Sequence, residues 1–407
     1  MNRNGNKRYS LQRAQQAISE NIKQLPGEVV DIKDGMLRVT SSDVAAVLPQ
    51  PSFDESTRDG YVIPLFSGSD HGINHYKIVD EIPAGKVRVN TLKPGTACRI
   101  MTGGCVPKGG TRVVPFENCV EENGEVIISD HLLQSTRSFI RKAGSEIKKG
   151  ERLVAGGVVL EPMHLAQLSS CGVHFVVVTK KPSVGYFCTG SELKGSSNGL
   201  EKGEKVSSNS FLLQGLLTSF CCCPENLGII EDNRQDLHAL FVKAKEQGLD
   251  AIISTGGMGP GKYDLVKEAF VKAGGQVIFT SLKMRPGKSV LFGTLGNTLF
   301  FGLPGPPHAV QTLFNMLVGP TLLAMQGVRA SWPQKVQASL HHSVRAKRHD
   351  VLRLKDGMLV QERGRCKVRF TKKLELANCY ILLLSGREYY PEGELVDVYL
   401  TTSLCLV

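Results

Sequence analysis

Beyond Lys181 the chain alternates strand-like and helix-like segments, and this alternation restricts the fold more than any other feature. The spacing predicts strands over 184–188, 227–230, 251–254 and 276–281, with helices over 211–220, 235–246 and 265–273 between them. A strand pair near 289–292 and 298–302 and a helix over 309–325 follow. Parallel strands joined through helices need crossover connections, so the expected product is a doubly wound, mostly parallel sheet covered on both faces. In such a sheet, ligands gather at the carboxyl ends of the strands, and the loops there decide function.

The flanking segments have a different texture. Residues 10–22 place Leu11, Ala14, Ala17, Ile18 and Ile22 at helical spacing behind a Ser10 cap. From 52 to 123, short apolar runs broken by Gly and Pro, with a further strand over 125–129, predict a compact β unit. After Trp332-Pro333 the runs 337–344, 350–354, 367–370, 380–384 and 395–401 predict a second small β domain. The expected fold class is therefore multidomain α/β. Its parts are a linking domain of 1–51 with 149–180, an inserted β domain of 52–148, an α/β domain of 181–330 and a C-terminal β domain of 331–407.

Composition narrows the class further. With 407 residues, 41% hydrophobic, 21% charged and a mean hydropathy of -0.08, the chain is neither disordered nor fibrous. No apolar run approaches the ~18 residues of a membrane span. The polar, basic start MNRNGNKRYS lacks a secretory apolar stretch, which predicts a cytoplasmic protein with reduced thiols. The 11 cysteines contain no C-x-x-C pair, and the triplet Cys221-Cys222-Cys223 reads as core thiols at a helix end rather than a zinc site. The net charge of +11 is concentrated: residues 335–373 hold twelve Lys or Arg against Asp350, Asp356 and Glu362. That stretch is either a solvated strand face or an attractor of anions; with only Phe370 to stack on bases, nucleic acid is not the expected partner.

Three loops at the predicted strand ends carry chemistry. Thr255-Gly256-Gly257-Met258-Gly259-Pro260-Gly261 puts four glycines between a strand and a helix, a pattern that lets backbone amides surround a phosphate. Thr189-Gly190-Ser191-Glu192 and Pro304-Gly305-Pro306-Pro307-His308 face it. Glu192, Asp232 and Asp264 each follow a strand; singly each reads as a cap or turn residue, and together they would suit Mg²⁺.

Seven segments in order resemble the MoeA family, which includes the gephyrin E domain and the plant Cnx E domain. They are Phe53 to Tyr61, Met101 to Pro107, Gly144-Ser145-Glu146, Thr189 to Leu193, Thr255 to Asp264, Met284-Arg285-Pro286-Gly287-Lys288 and Gly302 to Gly305. The resemblance implies a molybdopterin molybdenumtransferase that releases the adenylyl group from adenylylated molybdopterin and inserts molybdate, with Mg²⁺, to finish the molybdenum cofactor. It implies a MogA-like α/β domain and an elongated homodimer whose site is completed by the partner's inserted β domain. Carried over by residue, it puts Asp59, Thr102, Glu146, Glu192, Asp232 and Asp264 on acidic and polar site positions, the last three of the acids with Mg²⁺. It puts Thr255, Gly256, Gly257, Gly261, Pro304, Gly305 and Arg141 on substrate-binding positions, with Arg285 and Lys288 on molybdate.

The chain also departs from the pattern. The family's Pro-Gly-Asn-Pro-Val-Ser is here Pro304-Gly305-Pro306-Pro307-His308-Ala309, which removes an amide and a hydroxyl donor. Gly259 replaces a serine, Arg285 a lysine and Ser289 a proline. Two functions therefore stand side by side: a working transferase, or a catalytically reduced dimeric scaffold that binds protein partners, as the gephyrin E domain does.

Overall fold

The computed structural model describes residues 8–64, 75–85, 91–231, 233–257, 265–329, 331–346, 350–362 and 364–401. The α/β domain is built as the alternation demands. Its sheet runs in the order Cys223–Ile230, Ser183–Thr189, Ala251–Thr255, Thr298–Leu303, Leu291–Leu295, Gln276–Phe279. The first four strands are parallel, and Leu291–Leu295 runs antiparallel to both of its neighbours. Adjacent residues point to opposite faces. Tyr186, Ile253 and Phe301 therefore enter one core with Leu213 and Leu217 of helix Ser208–Ser219. Phe187, Ile252 and Phe300 enter the other, with Phe241 of helix Arg234–Glu246 and Phe270 of helix Leu265–Lys272.

The opening helix forms over Leu11–Ser19, where the Ser10 hydroxyl accepts the Arg13 N–H at 3.1 Å and satisfies one amide that a helix start leaves unpaired. Leu11, Ala14 and Ile18 are buried in the first core beside Leu313, Phe314 and Leu317. The predicted single helix over 309–325 is instead Pro307–Leu313, a π-helical segment Phe314–Val318, and Gly319–Met325. Pro320 explains the break: it has no N–H to return to the Met316 carbonyl. That carbonyl accepts from Gln15 Nε2 at 3.3 Å, which ties the opening helix to the break.

The inserted unit is a six-stranded sheet ordered Arg112–Pro115, Gly60–Ile63, Thr96–Ile100, His75–Ile82, Glu125–Ile128, Cys119–Glu122. At Gly60 a Cβ would lie 2.1 Å from the Val114 carbonyl oxygen, so the residue after Asp59 must be glycine for the strands to meet. Segments on either side of this unit in sequence pair outside it: Gly27–Asp31 with Phe175–Thr179, and Val44–Ala45 with Arg152–Val154. Helix Pro162–Ser170 supplies Leu168 to the core between them.

In the C-terminal part, strands Leu352–Glu362, Arg365–Phe370, Lys335–Leu340, Leu395–Leu400 and Cys379–Leu383 pair in that order, and the last returns to the first to close a barrel. Met284–Arg285 of the α/β domain adds to the barrel in parallel, with Met284 opposite Leu352 and Arg285 opposite Arg353. This seam brings the Arg285 to Lys288 loop against the basic strand.

Two expectations change in detail. Cys221 and Cys222 are buried at the helix end, with Cys221 at φ 56°, but Cys223 opens the next strand and is exposed. The basic stretch is more neutral than its sequence window: Lys335, Arg345, Lys367 and Arg369 pair with Asp397, Glu388, Glu362 and Glu375. Three of those four acids lie beyond residue 373, outside the window. Among the described residues no helix is long and apolar enough to cross a membrane.

Candidate functional site

Two adjoining cavities open at the carboxyl ends of the parallel strands. The larger, about 690 Å³, is walled by Thr189, Gly190, Glu192, Thr255, Gly256, Gly257 and the Pro304 to Pro307 turn, with Lys205 and Ser207 to Asn209 closing the far side. Gly256 has φ 90° and gives its N–H to the Leu303 carbonyl at 3.1 Å; a Cβ on it would lie 2.1 Å from the Thr189 carbonyl oxygen. Glycine at this position therefore lets three strand ends crowd together and leaves backbone at the cavity wall. Thr255 lines the cavity, but its hydroxyl donates inward to the Cys188 thiol at 3.3 Å. Glu192 is exposed, folds back over Gly190 and makes no ion pair among the described residues.

The second cavity, about 330 Å³, is cationic. Arg285, Lys288 and Ser289 approach from one loop, Arg353, Lys355 and Asp356 from the barrel strand, and Pro304, His308, Ala309 and Thr312 from the turn and its helix. Arg285, Lys288 and Lys355 make no ion pair among the described residues. Burial, and then the neighbouring Arg353, holds Lys355 below the ordinary ammonium value. An anion entering here would relieve that repulsion. Ser289 and Pro304 belong to both cavities, so the two share a wall.

A separate cluster lies on the inserted β unit. Asp59 Oδ1 accepts from the Thr102 amide at 2.7 Å and from its hydroxyl at 2.8 Å. The amide first and the hydroxyl second hold Asp59 below the usual carboxylate value. Arg141 contacts Glu55 at 3.3 Å and Glu146 at 3.2 Å. Asp59, Thr102, Arg141 and Glu146 are absent from the walls of both cavities. Within one chain the structure thus gathers Glu192, Thr255, Gly256, Gly257, Pro304 and Gly305 in one cavity, and Arg285 and Lys288 with Pro304 in its neighbour. Asp232, Gly261 and Asp264 lie outside the described residues. Among the described residues no group of three or more His, Cys, Asp or Glu could hold a metal ion.

Sequence reasoning missed Asn209, which lines the larger cavity and donates from Nδ2 to the Gly305 carbonyl at 2.8 Å, fixing the turn to helix Ser208–Ser219. It also missed Arg353 and Lys355 as site residues. Their alternation on a strand was visible, but its pairing with the Arg285 loop was not.

Residues 9–172 match the family model described as "MoeA N-terminal region (domain I and II)", and residues 185–324 the model described as "Probable molybdopterin binding domain". The chain belongs to the MoeA family. Its alignments with curated relatives run over nearly its whole length. It is 29% identical over 399 residues to the molybdopterin molybdenumtransferase of Haemophilus influenzae, covering 94% of this chain and 97% of that one. Against the protein of that name from Staphylococcus aureus strain COL it is 29% identical over 405 residues, covering 97% and 96%. The solved MoeA molybdopterin biosynthesis protein of Pyrococcus horikoshii superposes with a TM-score of 0.82 at 26% identity, over 98% of this chain and 100% of that one. The MoeA-family fold thus extends through the sheet, the inserted β unit and the terminal barrel.

Proposed function

We propose that this MoeA-family protein acts in molybdenum cofactor biosynthesis as a molybdopterin molybdenumtransferase. The observation that carries this reading is the shared wall: a glycine-lined cavity and a cationic cavity meet at Ser289 and Pro304. The larger cavity would take adenylylated molybdopterin, with the backbone at Gly257 against phosphate oxygens, while the Gly256 amide stays on the Leu303 carbonyl and holds the loop in place. The smaller would take molybdate, a tetrahedral dianion, between Arg285, Lys288 and Lys355. Asn209 would hold the Gly305 turn between them.

Glu192, exposed in the wall of the larger cavity and without an ion pair among the described residues, is a donor that suits a hard cation. With Asp232 and Asp264 it would hold Mg²⁺, which would supply positive charge beside the adenylyl phosphate. Asp59, Thr102, Arg141 and Glu146 stand apart from both cavities, which supports a homodimer in which one protomer's β unit completes the other's site.

A test separates the two halves of the site. Arg285→Ala and Lys288→Ala should each weaken molybdate binding roughly tenfold, the scale of one charge-assisted hydrogen bond, and leave the affinity for adenylylated molybdopterin unchanged. Equal losses for both ligands, or no loss for molybdate, would refute this assignment. The scaffold reading draws on the Leu374 and Leu376 side chains, 94% and 84% exposed on a barrel loop. It would gain if the folded protein bound neither ligand.

A further inference from the structure

The turn 304–309 lies against both cavities yet carries few donors. Pro304, Pro306 and Pro307 have no N–H, Gly305 has no side chain, and the Ala309 side chain is buried and apolar. Thr312, one turn further on, donates its hydroxyl to the His308 carbonyl at 2.8 Å. His308 is thus the one side-chain donor of the turn, and it is exposed in the wall of the cationic cavity. Its neighbours there are Arg285, Lys288 and Ser289 from the loop, and Arg353, Lys355 and Asp356 from the barrel strand.

We propose that His308 is a specificity-determining residue of this cavity: its imidazole N–H donates to a bound tetrahedral oxyanion beside Arg285, Lys288 and Lys355, from a turn whose three prolines supply no amide. The inference rests on reading the cavity as an oxyanion site.

The test is calorimetry on the full chain at one neutral pH, with sulfate and molybdate as the probes. His308→Ala should bind each oxyanion about threefold to tenfold more weakly than wild type, the scale of one hydrogen bond. His308→Gln, which keeps an N–H donor, should recover most of that affinity. The His308 side chain is exposed, so both variants should fold, and circular dichroism checks this. Wild-type affinity in His308→Ala, or an equal loss in His308→Gln, overturns the inference while leaving the oxyanion site standing. Absence of sulfate and molybdate binding by the wild type overturns both.

Discussion

Replacing Gly256 with alanine tests whether the glycine loop is held by close backbone contact. Gly256 sits at φ 90° with its N–H on the Leu303 carbonyl, and a new Cβ would fall 2.1 Å from the Thr189 carbonyl oxygen. An alanine in the left-handed region costs ~1–2 kcal/mol. The overlap is with backbone of the central sheet rather than the end of a flexible side chain, and such overpacking adds ~1–3 kcal/mol. The chain should therefore lose ~2–5 kcal/mol in urea unfolding followed by circular dichroism. If the loop swings aside to relieve the overlap, the loss appears instead as weakened binding of adenylylated molybdopterin. Gly215→Ala is the control: Gly215 lies within helix Ser208–Ser219 with open space around a new Cβ, and the change should gain ~0.5–1 kcal/mol. Gly256→Ala with wild-type stability and wild-type binding would refute the reasoning.

Two further predictions concern assembly and pH. If the site is shared between protomers, Asp59→Ala and Glu192→Ala should each be inactive alone. Refolded together in equal amounts they should recover about a quarter of wild-type turnover, since half the dimers are mixed and each has one intact site; no recovery in demonstrably mixed dimers would contradict this. Burial pushes the Cys98, Cys119 and Cys379 thiols each up to about 11. The folded chain keeps these protons where the unfolded chain has released them, so their stabilisation is complete below the ordinary thiol value and is lost as pH rises toward 11. The urea midpoint should fall between about pH 8 and about pH 10.5, and a constant or rising midpoint would contradict this.

The α/β domain was legible because each strand and helix carries its own periodic signal, and Ser10 and the glycine loop mark real boundaries. The π-helical break was not, because it depends on Pro320 removing one donor and on Gln15, distant in sequence, taking up the freed carbonyl. The cationic cavity was half legible. Arg285 and Lys288 stand in a recognisable motif, but Arg353 and Lys355 join them only through the pairing of Arg285 with Arg353, a long-range contact with no local signature. The basic stretch misled for the same reason: its neutralising acids Asp397, Glu388 and Glu375 come from other parts of the barrel.

In the proposed transferase reaction the two adjoining cavities exchange an adenylyl group for molybdenum. The most direct measurement incubates the purified full chain with adenylylated molybdopterin, molybdate and Mg²⁺, and follows AMP release together with molybdenum bound to the pterin dithiolene. The account predicts that both products appear together, and that Lys288→Ala suppresses molybdenum incorporation more than it suppresses AMP release. A folded, dimeric protein that binds adenylylated molybdopterin yet yields neither product would contradict it.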